Sequence, residues 1–170
     1  MAIVKASFTK STGGAKASVR YIQHRPGIEG ASVTRTLFGS DGLMGRYEAY
    51  RMIETAEKGS RFFRFVFSPD PQGEDTQRDL NLRVIIEQIM QHLEDRLQRQ
   101  VSWVGVQHAD HAPHRHVHVV AVVTSRLSAQ DFQALRQAAT EACLQQRRER
   151  DLILRQQVKA REEAQWGVGY

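Results

Sequence analysis

The chain has 170 residues, 41% of them hydrophobic and 25% charged, with a formal net charge of +5. That is the size and balance of one soluble domain with a full core. Its apolar runs are too short to span a bilayer, its N-terminus lacks the apolar stretch of a secretory signal, and its single cysteine, Cys143, excludes an internal disulfide or a zinc ribbon, so a cytoplasmic protein is expected.

Taken in chain order, residues 2–9 read as a strand. Ser11 or Thr12 can cap a helix that begins near Gly13 and ends at Pro26 and Gly27. After Gly30, ASVTRTLF (31–38) reads as a β-branched strand and SDG (40–42) as a turn. Residues 44–58 look helical, with Gly59 where a C-terminal glycine belongs. FFRFVF (62–67) is a strand, broken by SPDPQG. Thr76 and Asp79 approximate a capping box for a long helix that runs to about Gln98, with Leu82, Ile86, Ile89, Leu93 and Leu97 as its apolar face.

An apolar run, Val101 to Val106, leads into His108, and a short polar loop joins it to a second strand ending at Val123. Ser128 and Asp131 open a last helix that meets no Gly or Pro before Glu163. Phe132, Leu135, Ala139 and Ala142 give its first half a core face, whereas QQRRERD (145–151) is polar, so the second half projects or packs on a partner. The order β-α-β-α-β-α-β-β-α predicts an α+β fold with a mostly antiparallel sheet of about five strands, the valine-rich last strand central, and a long C-terminal helix. One domain is expected, with its core in 1–125 and the helix and tail of the same domain in 126–170.

Five of the seven histidines lie between His108 and His118. His114, His116 and His118 alternate and run into a β-branched segment, so on a strand their side chains share one face, with Val117, Val119 and Ala121 on the other. If the two strands pair as a hairpin, His108 returns beside this row. Three neutral imidazoles can then hold one divalent metal and leave a coordination position open. Asp110 can fix a ring tautomer from behind. Residues 1–64 carry 11 Lys+Arg against 5 Asp+Glu, the balance of a phosphate-binding surface. Lys5, Lys10, Lys16, Arg20, Arg25 and Arg35 are its candidate contacts. Phe38 and Trp103 are candidate stacking surfaces, with core packing the alternative for Trp103.

The segment WVGVQHADHAPHRHVHVV (103–120) resembles the metal motif of the conjugative relaxases, or mobilisation nucleases, of the His-hydrophobic-His single-strand endonucleases. RFFRFVFSPD (61–70), followed by a long amphipathic helix and a Trp-Val strand, is similar to the order of elements in that family, so the resemblance covers most of residues 1–125. SVRYIQHRPG (18–27) matches the family's nucleophile segment and makes Tyr21 the candidate, with Tyr47 and Tyr50 as rivals for which packing is the simpler role.

The resemblance implies site- and strand-specific nicking and rejoining of single-stranded DNA at a transfer origin. Tyr21 would form a 5′-phosphotyrosyl linkage, and Asp110 or His111 would take the phenolic proton. The cofactor would be Mg²⁺ or Mn²⁺, and three imidazoles should also accept Zn²⁺, Ni²⁺ or Cu²⁺. The partners would be transfer-origin DNA and accessory relaxosome or coupling proteins. The interval from His108 to His114 is one residue shorter than the family's usual spacing. The triad is therefore either His108, His114 and His116 or His108, His116 and His118. The second is preferred because His114 still lies in the loop.

Three other readings compete. HRHVHVV (114–120) also resembles the histidine-triad nucleotide hydrolases, though Arg115 departs from their pattern. A rolling-circle replication initiator would place its tyrosine after the histidines, where only the terminal Tyr170 is found. A non-catalytic single-stranded-DNA-binding relative is the third. Relaxases often carry a further C-terminal region, so this chain reads either as a minimal relaxase or as the nuclease domain of a longer protein.

Overall fold

The computed structural model describes residues 1–110 and 114–166. Its strands are β1 (Ile3–Thr9), β2 (Leu37–Gly39), β3 (Gly42–Met44), β4 (Arg61–Ser68), β5 (Ser102–His108) and β6 (His116–Val123). Its helices are α1 (Thr12–His24), α2 (Arg46–Glu54), α3 (Leu82–Leu97) and α4 (Ala129–Trp166). The six strands form one antiparallel sheet in the order β1-β4-β6-β5-β2-β3. The fold is α+β as expected, with six strands rather than five, and β6 lies inside the sheet.

Strand alternation divides the core in two. Phe63, Phe65, Phe67, Trp103, Val117, Val119 and Ala121 point to one face and are covered by α3 and the first half of α4. Phe62, Val104, Val106 and Val120 point to the other and are covered by α1 and α2 through Val19, Ile22, Ala49 and Ile53. Helices on both faces explain why β6 is apolar on both sides beyond His118.

The extra strand comes from a misread segment. Residues 31–36 are β-branched yet pair with no strand. The amide of Arg35 donates to the Gln23 carbonyl at 3.0 Å, which ties the segment to the end of α1 instead. Only Leu37–Gly39 enters the sheet, and it turns directly into β3. The turn needs its glycines. Gly42 has φ 111°, and a Cβ at Gly39 would come within 3.1 Å of the Trp103 carbonyl oxygen.

Helix starts follow local hydrogen bonding. Ser11 caps α1 by accepting from the Gly14 amide at 3.0 Å. Ser128 and Asp131 form the expected reciprocal pair at the start of α4, at 2.7 and 3.2 Å. The α3 start differs from expectation. Asn81, not Thr76, is the cap and accepts from Val84, while Asp79 pairs with Arg147 of α4. The helix read over 44–58 is confined to Arg46–Glu54, and Gly59 serves a turn with φ 86°. Leu135, Ala139, Cys143 and Arg147 are the buried residues of α4, and residues 152–166 are all exposed. The last 15 of its 38 residues, in a helix about 57 Å long, therefore stand clear of the domain. Among the described residues no helix is long and apolar enough to cross a membrane.

Candidate metal centre

The β5–β6 hairpin builds the site. Its register sets His108 directly opposite His116, with His118 two residues further along the same face. The ring centroids are 5.2 Å apart for His108–His116, 4.6 Å for His108–His118 and 5.1 Å for His116–His118. One nitrogen from each ring lies within 4.8 Å of the other two, so the three could hold a metal ion. His114 is exposed and lies outside the strand; its carbonyl accepts from Nδ1 of His116 at 3.3 Å. It is not a member of the cluster, and of the two triads open to the sequence this arrangement matches His108, His116 and His118.

The protonation of the cluster suits a cation. Burial is the main cause that drives His108 down to about 4 and His118 down to about 3, and it lowers His116 as well. The guanidiniums of Arg25, Arg35 and Arg64 add to the effect. All three rings are therefore neutral near pH 7, as metal ligands must be.

The nitrogens left over make the fit specific. His108 is fully buried, and its Nε2 donates to the Ile22 carbonyl at 2.8 Å, which leaves Nδ1 as a lone pair with no partner. Both nitrogens of buried His118 also lack a hydrogen-bond partner. Buried nitrogens without hydrogen-bond partners, in neutral rings, are donor atoms that fit a cation. Three imidazoles leave open positions and favour first-row transition ions over Mg²⁺.

Asp110 differs from both roles expected of it. The partner of the His108 ring is the Ile22 carbonyl, not a carboxylate. Both Asp110 oxygens accept from Nη2 of Arg35, at 3.0 and 2.8 Å, so it is not a free proton acceptor. Arg35 in turn differs from a solvated phosphate contact. It is 9% exposed and also donates from Nη1 to the Arg25 carbonyl at 2.7 Å. Together the pair fixes the end of α1 against the end of β5. His111 lies outside the described residues.

Tyr21 is 51% exposed on α1, next in sequence to the residue that holds His108. The Arg25 guanidinium lies 6.0 Å from the Tyr21 ring centroid, and its charge also acts on His116 and His118. Of the rivals, Tyr50 is partly buried against the core and under Lys16, whereas Tyr47 is 81% exposed with the Arg46 guanidinium 6.0 Å from its ring centroid. Phe38 and Trp103 are both core, edge to face at 5.8 Å, so neither is a stacking surface.

The expected cations divide. Lys5, Lys10 and Arg20 are exposed, Arg25 is partly so, and Lys16 is paired with Glu54. Arg64 was missed. It is exposed on β4, opposite Val120, and therefore on the histidine face; Val66, opposite His118, shares that face, and Lys5 is opposite Val66 on β1. The signal was the lone charge at an alternate position in FFRFVF. Lys5, Ser7, Arg64 and Val66 form a strip from the triad to the sheet edge. Cys143 is buried with its thiol pushed up to about 12, chiefly by burial, and takes no part. The chain matches no protein-family profile and no curated protein.

Proposed function

We propose that the protein is a metal-dependent single-strand DNA nicking and rejoining enzyme of the relaxase kind. The observation that carries this reading is the triad of neutral imidazoles, with Nδ1 of His108 and both nitrogens of His118 buried and without hydrogen-bond partners, at the end of a basic strip on one sheet face. A cation held by His108, His116 and His118 would polarise a phosphate oxygen and offset charge developing on the phosphorus. Mn²⁺ suits an all-imidazole set better than Mg²⁺, and Zn²⁺, Ni²⁺ and Cu²⁺ should bind more tightly still.

The chain's own residues do the rest. Lys5 and Arg64 receive the phosphates of an incoming single strand. Arg25 sits beside the Tyr21 ring and counters charge at the phenol oxygen as it forms. The Tyr21 oxygen bonds to phosphorus and the bond from phosphorus to the 3′ oxygen breaks. The phenolic proton passes to water and the departing 3′ oxygen collects one. Reversal rejoins the strand. Asp110 is a positioning residue in this scheme. It acts through Arg35, which holds the carbonyl of Arg25 and so the end of the helix that carries Tyr21. Transfer-origin DNA, accessory relaxosome proteins and a cytoplasmic site of action belong to the same proposal.

The test is incubation of the protein with end-labelled oligonucleotides spanning candidate transfer origins, with Mn²⁺ or with a chelator. Metal-dependent nicking that is lost in Tyr21→Phe and in His118→Ala supports the reading. Nicking that survives Tyr21→Phe, or mononucleotide hydrolysis without metal, points instead to a hydrolase of the histidine-triad kind.

A further inference from the structure

We propose that the groove between β1 and the start of α4 is a second site for single-stranded nucleic acid, where a base stacks on Phe8 and Lys10, Arg61 and Arg126 hold the neighbouring phosphates. The proposal rests on the reading of the histidine face given above.

Phe8 is the odd phenylalanine of the chain. It is 53% exposed, whereas Phe38, Phe62, Phe63, Phe65 and Phe67 are buried. It is also packed against its neighbours. Its ring lies 5.2 Å from Phe63, which stacks on Phe65 at 5.6 Å and leans on Phe132 at 6.3 Å. The Arg61 guanidinium lies 5.7 Å from the Phe8 centroid. An aromatic ring and a guanidinium plane are the two protein surfaces on which bases stack. The groove that they line, with Lys10 and Arg126, is about 480 Å³.

Charge decides the occupant. No carboxylate lines the groove, and among the described residues Lys10, Arg61 and Arg126 form no ion pair. Elsewhere Lys16, Arg35, Arg96, Arg115 and Arg147 each hold a carboxylate. Unpaired cations around an apolar platform complement a chain that alternates bases with phosphates.

The position supplies a route. On edge strand β1, Lys5 and Ser7 face the histidine side while Ala6 and Phe8 face the α4 side, and all four are exposed. A strand that crosses Lys5 and Arg64 needs only to round the free edge of β1 to reach Phe8.

The test uses the whole protein with a chelator, so that no nicking intrudes, and a fluorescein-labelled 20-nucleotide single strand read by anisotropy. Phe8→Ala should weaken binding about 5- to 100-fold. Phe8→Trp should keep the affinity, and its added emission should be quenched on binding. Arg61→Ala with Arg126→Ala should lower the salt slope by about 1.4, two phosphate contacts at roughly 0.7 each. Phe8 is half exposed on an edge strand, and a far-ultraviolet circular dichroism melt of Phe8→Ala checks that the fold is kept. Binding by Phe8→Ala within about two-fold of wild type, or no binding by the wild type, overturns the proposal. So does quenching of Phe8→Trp by an acidic, aromatic peptide but not by DNA. A protein that nicks normally but ignores Phe8→Ala loses only this site. One that binds through Phe8 but never nicks loses only the metal-centre reading.

Discussion

The ring of His108 donates from Nε2 to the backbone carbonyl of Ile22, 2.8 Å away. This one bond fixes the tautomer of a buried histidine and docks α1 onto the β5–β6 hairpin. It ties the orientation of the candidate ligand to the helix that carries Tyr21.

Metal binding should separate the histidines. Titration calorimetry with Mn²⁺ or Zn²⁺ should give one site per chain. His108→Ala, His116→Ala and His118→Ala should each weaken it by at least about 100-fold, a larger effect than the 10- to 100-fold typical of outer-shell changes. His114→Ala should bind like wild type. Equal losses at His114 and His118 would contradict the assigned triad.

Without metal the protein should lose stability as pH falls below neutrality. The folded histidines are neutral down to about 4 at His108 and about 3 at His118, while the unfolded chain takes up protons from 6.5. The unfolded state thus binds more protons between pH 6.5 and about 4. Each such histidine removes about 1.4 kcal/mol per pH unit across its window. The lowered carboxyls of Asp79 and Asp131 act only below the usual carboxylate value of 3.8, outside this range. Urea midpoints at pH 7.5 and pH 5 measure it. An unchanged midpoint would mean that the rings are not buried neutral.

The sequence made the hairpin legible for a physical reason. Alternating histidines that run into β-branched residues allow one face but leave the register open between two triads, and the structure pairs His108 with His116. What stayed hidden was carried by backbone atoms and by tertiary choice. Nothing in the side-chain pattern marks the Ile22 carbonyl as a histidine partner. Residues 31–36 have strand propensity but bond to the end of α1, because Arg35 is drawn inward to Asp110 and to the Arg25 carbonyl. Charge alone made Arg35 look like a phosphate contact, and aromatic type alone made Phe38 look like a stacking surface. Burial reverses both. Arg64 and Phe8 were readable only once the faces of β4 and β1 were known.

Arg35 and Asp110 should behave as one unit. Arg35 is buried and Asp110 only partly so. Arg35→Ala should cost about 2–4 kcal/mol in chemical denaturation, somewhat below the range for a fully buried pair. The double variant with Asp110→Ala should cost less than the sum of the single changes, by about 1 kcal/mol or more. Additive losses would show that the two groups act separately.

The projecting end of α4 should be dispensable for folding. A chain ending at residue 155 retains the contacts of Arg147 with Asp79 and Asp151. It should unfold within about 0.5 kcal/mol of the full chain, as expected for surface changes. A larger loss would mean that residues beyond 155 contribute to the domain.

The most direct test of the metal-centre reading is to trap the covalent step. A single-stranded oligonucleotide with a 3′-bridging phosphorothiolate at the nick position releases a thiol that recloses poorly, so the linkage accumulates. Mass spectrometry of the digested protein, after incubation with Mn²⁺, should find the nucleotide adduct on the peptide carrying Tyr21. The adduct should be absent in His118→Ala and with a chelator. An adduct on a histidine, or on Tyr47 or Tyr50, would contradict the assignment. So would cleavage of the oligonucleotide with no covalent protein product.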